Sequence, residues 1–285
     1  MIRYAKPRSV DEALALLGEA RWKILAGGTD FYPALGNRPL SENVLDINAL
    51  GELGGISETA THLVIGARTT WTEIVGHPLP PAFEALKQAA REVGSAQIQN
   101  AGTVAGNLCN ASPAADGGPP LMVLDAEVEL ASLAGRRVLA LSDFILGNRK
   151  IAIGPGEIVT AVRLPKASVA GSSSFQKLGA RRYLVISIAM AAARVVTSDG
   201  RIEQAAVAVG ACSAVAQRLS GLEQALVGLR PGREIEDAVA GDGFAELSPI
   251  DDVRGSADYR RAAAREIVSR ALAGAISATG TEMAA

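Results

Sequence analysis

The chain has 285 residues, long enough for two domains with cores of their own. Hydrophobic residues make up 48% and charged residues 20%, an ordinary globular balance, and the formal charge of −2 gives no basic footprint for nucleic acid. No run approaches the roughly 18 to 20 apolar residues of a membrane helix, and the opening Met1-Ile2-Arg3-Tyr4-Ala5-Lys6-Pro7 lacks the apolar stretch of a secretory signal.

In chain order, Ser9-Val10-Asp11-Glu12 is a capping box that opens a short amphipathic helix carrying Leu14 and Leu17. Residues 22–26 read as a strand that runs into Gly27-Gly28-Thr29-Asp30, and residues 31–35 as a short helix after that turn. Residues 44–47 read as a second, parallel strand. A subdomain boundary falls near Gly54-Gly55. Residues 61–65 and 67–69 then read as strand pieces of a new unit, and residues 72–75 as the start of a helix. Pro80-Pro81 punctuates the chain before a helix over 82–93, which Gly94 closes as a C-cap glycine would. Residues 96–100 lead into a second glycine turn. Gly117-Gly118-Pro119-Pro120 reads as a breaker. Residues 126–132 and 136–141 alternate about Ala134-Gly135, a hairpin signal. The period-2 alternation of residues 157–165 marks a half-buried strand.

The small, polar stretch 169–174 is the main domain boundary. Beyond it, residues 174–178 form a strand, and 186–197 and 201–210 form a hairpin about Ser198-Asp199-Gly200. Helices follow over 219–229 and 234–239. A last helix, capped by Ser256, carries a stripe of Tyr259, Ala263, Ile267 or Val268, and Ala271 or Leu272. The tail after Ser277 reads as frayed. Cys109 and Cys212 match no zinc or iron–sulfur spacing, read as free buried thiols, and fit a reducing cytoplasm. His62 and His77 read as surface residues. The chain therefore offers no metal site, and no acid–base pair or nucleophile stands out as catalytic.

The chemistry lies in the two glycine turns. In Leu25-Ala26-Gly27-Gly28-Thr29-Asp30, adjacent glycines let a ligand approach the main chain, and successive N–H groups can form an anion-binding nest. The turn fits neither G-x-G-x-x-G nor the Walker pattern. The second turn, Asn100-Ala101-Gly102-Thr103-Val104-Ala105-Gly106-Asn107 through Ser112-Pro113-Ala114-Ala115-Asp116, is rich in short hydrogen-bonding side chains and ends in a carboxylate. The two could close on one ligand from opposite sides, holding the diphosphate of a nucleotide.

This pair of motifs resembles the FAD-binding medium subunit of the molybdenum hydroxylases, the family of the xanthine dehydrogenase and carbon monoxide dehydrogenase flavoprotein subunits. Pro155-Gly156-Glu157-Ile158-Val159, Phe175-Gln176-Lys177, Arg181-Arg182 and residues 252–261 extend the resemblance in order along nearly the whole chain. It implies an α+β chain. An FAD-binding domain of two α/β subdomains like that of vanillyl-alcohol oxidase, 1–54 and 55–170, precedes a C-terminal domain of a small antiparallel sheet with a helical bundle, 171–285.

By the same resemblance, the backbone of Ala26, Gly27, Gly28, Thr29 and Asp30, with the Thr29 side chain, holds the diphosphate, Thr103, Gly106 and Asn107 face it, and Leu25 and Ser112 belong to the cofactor-binding set. Asp116 accepts hydrogen bonds from the cofactor's sugar chain. Ile158 or Val159 packs near the flavin ring, and Lys177 lies beside it, where a cation raises the flavin potential. A solvated strand lysine is the plainer reading of Lys177. The family has Gly-Gly before the Asn of its second turn, and this chain has Ala105-Gly106. If position 105 needs a left-handed backbone, Ala costs about 1 kcal/mol there. The resemblance further implies a [2Fe–2S] small subunit and a molybdopterin large subunit as partners, in a cytoplasmic dimer of heterotrimers, with electrons leaving to NAD, oxygen or a quinone. A self-contained FAD-dependent reductase or oxidase, and a non-catalytic nucleotide-binding protein, are the competing readings.

Overall fold

The computed structural model describes residues 1–282, the last four as backbone only. At the N-terminus, strand β1 (Tyr4–Ala5), helix α1 (Val10–Glu19), β2 (Trp22–Leu25), α2 (Phe31–Leu35) and β3 (Asn43–Asp46) form a three-stranded sheet in the order β1-β3-β2. Both pairings are parallel, as the crossover helices require. Ser9 caps α1 by accepting the Glu12 N–H at 3.2 Å. The Glu12 carboxylate, however, reaches the N–H of Arg8 at 2.8 Å, one residue upstream of the usual capping-box partner. Val10, Ala13, Leu14 and Leu17 bury one face of α1 against Trp22, Leu45 and Leu50.

The middle of the chain runs β4 (Ile56–Glu58), β5 (His62–Gly66), α3 (Trp71–Gly76), α4 (Glu84–Glu92), α5 (Ala96–Ala101), α6 (Val104–Asn110), α7 (Gly118–Met122), β6 (Glu127–Ser132), β7 (Gly135–Ala140), α8 (Leu141–Phe144), β8 (Ile145–Gly147), β9 (Lys150–Ile151) and β10 (Ile158–Pro165). The antiparallel sheet β4-β5-β10-β6-β7 carries this unit. Three local expectations fail here. Residues 67–69 are not a strand: Thr69 is buried and its hydroxyl donates to the Gly55 carbonyl at 2.8 Å. The supposed breaker at Pro119-Pro120 lies in the first turn of α7, where missing N–H groups cost nothing. And β10 is not half-buried. It is the central strand, with Val159 and Val162 in the core beneath α3, α4 and α6 and Ile158 in the core beneath α1.

The C-terminal part comprises β11 (Ser172–Leu178), β12 (Ala189–Ser198), β13 (Arg201–Gly210), β14 (Gln217–Arg218), α9 (Ser220–Leu226), α10 (Arg233–Ala240) and α11 (Ala257–Glu282). Its sheet is antiparallel in chain order. Asp199 (φ 51°) and Gly200 (φ 71°) make the β12–β13 hairpin turn. Helix α11 covers the sheet with Ala263, Ala264, Ile267, Val268, Ala271 and Leu272, whereas Tyr259 is half exposed and leaves the expected stripe. The helix continues past Ser277 to Glu282, and residues 283–285 of the expected frayed tail lie outside the described residues. Three consecutive serines at the start of β11 join it to its surroundings. Ser172 donates to the Ala275 carbonyl, Ser173 donates to the Ala82 carbonyl and accepts from the Ala85 N–H, and the Ser174 hydroxyl lies 3.3 Å from Gln88 Oε1. Beside them, Phe175, Met190, Ala192 and Ala208 share one apolar core with Ala85, Ala89 and Val123 of the middle unit. Among the described residues, no helix is long and apolar enough to cross a membrane.

Arg260, at the start of α11, is 3% exposed and donates to the carbonyls of Ile188 and Ala211 and to Asp252 Oδ1. The N–H of Arg254 and the Arg260 guanidinium hold the Asp252 carboxyl down at about 2. A depressed carboxyl stabilises the fold above its unfolded value and ceases to do so as pH falls through its folded value. Wild-type stability should therefore drop between the ordinary value of 3.8 and about 2. Asp252→Asn should be less stable at pH 7 and should flatten that part of a urea-denaturation pH profile.

Candidate functional site

The parallel pairing of β2 and β3 projects the first glycine turn from the end of β2. Packing of α5 and α6 brings the second turn beneath it. The two meet at the backbone. A Cβ built on Gly27 would lie 1.7 Å from the Ala101 carbonyl oxygen, and one on Gly102 would lie 3.4 Å from Thr29 Oγ1. Only glycine permits that approach. Gly28 takes φ +75°, a left-handed backbone, and turns the chain toward α2.

Between the turns lies a cavity of about 450 Å³. Ala26, Gly27, Gly28, Thr29 and Asp30 line one side, and Thr103, Gly106 and Asn107 the other. Ile158 and Val159 of β10 close the floor. The N–H groups of Gly28, Thr29 and Asp30 meet no protein acceptor among the described residues. Asn107 Oδ1 is buried and has no hydrogen-bond partner. Free N–H donors on one wall suit an anion, and the orphaned Asn107 oxygen, an acceptor, suits a ligand hydroxyl or ring N–H, so the residues present fit FAD, with its diphosphate at the first turn. Thr103 caps α6, its Oγ1 accepting the Gly106 N–H at 3.0 Å. Ala105 is an ordinary helical residue inside α6, 3% exposed and absent from the positive-φ residues. The substitution therefore carries no left-handed strain. Ala105→Gly should lower stability by about 1 kcal/mol through lost helix propensity, measured by chemical denaturation.

Leu25, Ser112, Asp116 and Lys177 do not line this cavity. Leu25 is core, and the Ser112 hydroxyl accepts the Ala114 N–H at 3.3 Å. Lys177 is not a solvated lysine: its side chain is 7% exposed and Nζ sits 2.6 Å from Asp116 Oδ2. The other Asp116 oxygen accepts from the Ser187 hydroxyl at 2.6 Å. Burial pushes the Asp116 carboxyl up, while Lys177 and Ser187 draw it back. Asp116 follows the second turn and Lys177 stands on β11, so this pair ties that turn to the C-terminal sheet.

Sequence reasoning missed much of the apolar wall. Trp71, 1% exposed, and Ile98, Ile151 and Ile153 all line the cavity. So does Lys23, whose ammonium stands 5.1 Å from the Phe31 ring centroid. The alternation of β2 marks Lys23 as facing opposite Trp22, but nothing local says that face borders a cavity. Cys109 also lines it, and burial raises its thiol to about 12. Cys212 is fully buried. The histidines lie at the surface, partly covered: His62 Nε2 lies 3.3 Å from Glu127 with a side chain 15% exposed, and His77 is half-buried. No three His, Cys, Asp or Glu among the described residues are placed to hold a metal ion.

Comparison with known proteins gives the same picture. The family described as "FAD binding domain in molybdopterin dehydrogenase" matches residues 1–167, and "CO dehydrogenase flavoprotein C-terminal domain" matches residues 174–275. The carbon monoxide dehydrogenase medium chain of Hydrogenophaga pseudoflava is 30% identical over 273 residues, covering 94% of this chain and 95% of its own. The nicotine 6-hydroxylase medium subunit of Paenarthrobacter nicotinovorans is 30% identical over 275 residues, covering 95% and 96%. A chain in the solved structure of Hydrogenophaga pseudoflava carbon monoxide dehydrogenase superposes with a TM-score of 0.88, at 30% identity and 97% coverage of both chains.

Proposed function

The chain belongs to the FAD-binding medium subunits of the molybdenum hydroxylases, and from that premise we propose that it takes electrons from a [2Fe–2S] subunit and passes them to an external acceptor, NAD, oxygen or a quinone. FAD, when bound, supplies a carrier that can exchange electrons singly with an iron–sulfur centre and in pairs with such an acceptor. Every other task falls to this chain. The amides of Gly28, Thr29 and Asp30 bind the diphosphate from one side, with Ala26 and Gly27 completing that wall. Thr103, Gly106 and Asn107 meet it from the other. Trp71, Ile158 and Val159 exclude water beside it. Leu25 sets the first turn on β2, and Ser112 shapes the loop that carries Asp116. Asp116 and Lys177 stand outside the cavity, so Asp116 would accept from the cofactor's sugar hydroxyls, and Lys177 bring charge toward the flavin ring, only where the cofactor extends beyond it toward the C-terminal sheet. The observation that carries this reading is the meeting of two sequence-distant glycine turns around one cavity with unpaired amides.

Molybdopterin and iron–sulfur chemistry are assigned to partner subunits, in a cytoplasmic dimer of heterotrimers. The units 1–54, 55–170 and 171–285 are proposed as its building blocks, a division supported by each of the three main sheets lying within one of them. The test is an absorption spectrum and subunit analysis of the purified complex. FAD bands overlapping iron–sulfur absorption, with three co-purifying chains, are expected. A self-contained reductase would instead turn over a substrate when purified alone. A colourless, folded chain that refuses added FAD would refute the proposal.

A further inference from the structure

The first glycine turn has two adjacent residues without side chains, and such a segment is costly to order at the moment of binding. Something must hold it in place beforehand. Leu25 of β2 pairs with Asp46 of β3, so the chain just past each strand end runs side by side. That register sets Asn48 next to Ala26. Asn48 Nδ2 donates to the Ala26 carbonyl at 2.8 Å and to Asp46 Oδ1 at 2.8 Å. The Asn48 main-chain N–H donates to the same carboxylate oxygen at 2.9 Å. Asp46 is 6% exposed, and its second oxygen accepts from the Tyr4 hydroxyl at 2.5 Å and faces Lys6 Nζ at 3.7 Å. Both oxygens facing the Asn48 amide group are acceptors, so only its NH₂ end can point at them.

We infer that Asn48 is a positioning residue: its side-chain amide, oriented by the Tyr4-Asp46 pair, pins the Ala26 carbonyl and so holds the first glycine turn in its binding shape before a diphosphate arrives. The peptide unit is planar, so fixing the carbonyl of Ala26 fixes the N–H of Gly27 and limits the swing of the amides that follow. Asn48 is exposed and contributes nothing to the core, and its side chain lies outside the cavity lining. Its hydrogen bond therefore acts on the turn. A single bond of this kind corresponds to an about three- to tenfold change in an equilibrium constant.

The inference rests on the FAD reading, and the experiment separates the two. Full-length apo-protein carrying Asn48→Ala is compared with wild type by backbone ¹⁵N order parameters of Gly27 to Asp30 without ligand, by FAD titration, and by thermal melting. Expected are lower order parameters at those residues, an FAD Kd raised about three- to tenfold, and an apo melting temperature lowered by a few degrees at most, as the lost hydrogen bond to Asp46 requires. Tyr4→Phe, which keeps Asn48 but loosens Asp46, should shift order parameters and affinity in the same direction by less. Unchanged order parameters overturn the inference, whether or not affinity moves, because a direct contact with FAD would alter affinity alone. A large fall in melting temperature with normal order parameters at residues 27–30 overturns it too. If wild type takes up no FAD, the cofactor reading fails, while the ligand-free comparison of order parameters still decides the role of Asn48.

Discussion

Gly27→Ala should leave the purified chain almost free of flavin, with FAD affinity reduced about a hundredfold. The new methyl would stand 1.7 Å from the Ala101 oxygen and 2.4 Å from its carbon. Those atoms are main chain and cannot rotate aside. The segment is also tied down, since the Gly102 N–H donates to Ile98 and its carbonyl accepts from Trp71. The two turns must therefore part, and the cavity walls lose their spacing. Gly28→Ala is the informative comparison. It suffers a positive φ and a clash at 2.7 Å, but with the Tyr32 ring, which is 60% exposed and free to swing. An about tenfold loss is expected there. Fluorescence titration of the apo-proteins checks both. Equal, small losses would mean that the approach of the two backbones does not matter for binding.

Lys177→Met should destabilise the apo chain by about 3 kcal/mol at pH 7 in urea denaturation, because it abandons a buried carboxylate. Asp116 would keep only the Ser187 hydroxyl. Burial already pushes this carboxyl up. Without the lysine only the Ser187 hydroxyl opposes that push. A raised carboxyl favours the fold below its unfolded value, and that contribution is lost as pH rises through the folded value. The variant should therefore be least impaired in acid and progressively worse toward neutral pH. Adding Asp116→Asn should recover part of the loss, since an amide is cheaper to bury than a charge. A double variant as damaged as the sum of the singles would show that the two side chains do not act as a pair.

Much of this molecule can be read locally. Ser9 and Ser256 announce their helices through side chains that need no distant partner, and Asp199-Gly200 forms its hairpin because those residues tolerate positive φ. The glycine turns were equally visible, since their chemistry is that of the backbone. What escaped depends on contacts between remote segments. Helix α5 has no apolar stripe and no side-chain cap, and the fold holds it under the first turn. The half-buried reading of β10 failed because alternation reports one covered face, and here the sheet has α1 behind it as well. Lys177 looked solvated because its partner lies 61 positions away. Asn48 carries no motif at all; only the β2–β3 register brings it to Ala26.

The serine seam at the head of β11 has an evolutionary side. Short hydroxyl side chains there bond three different segments, and an added methyl at Gly274 of α11 would come within 2.6 Å of Ser174 Oγ. Such a joint has no slack for insertion and no spare surface for a new docking partner. Exchange of C-terminal halves between relatives would have to carry the facing residues of α4 and the Ala82 turn along with it. A C-terminal half grafted without them would leave the Ser173 and Ser174 hydroxyls facing the wrong partners.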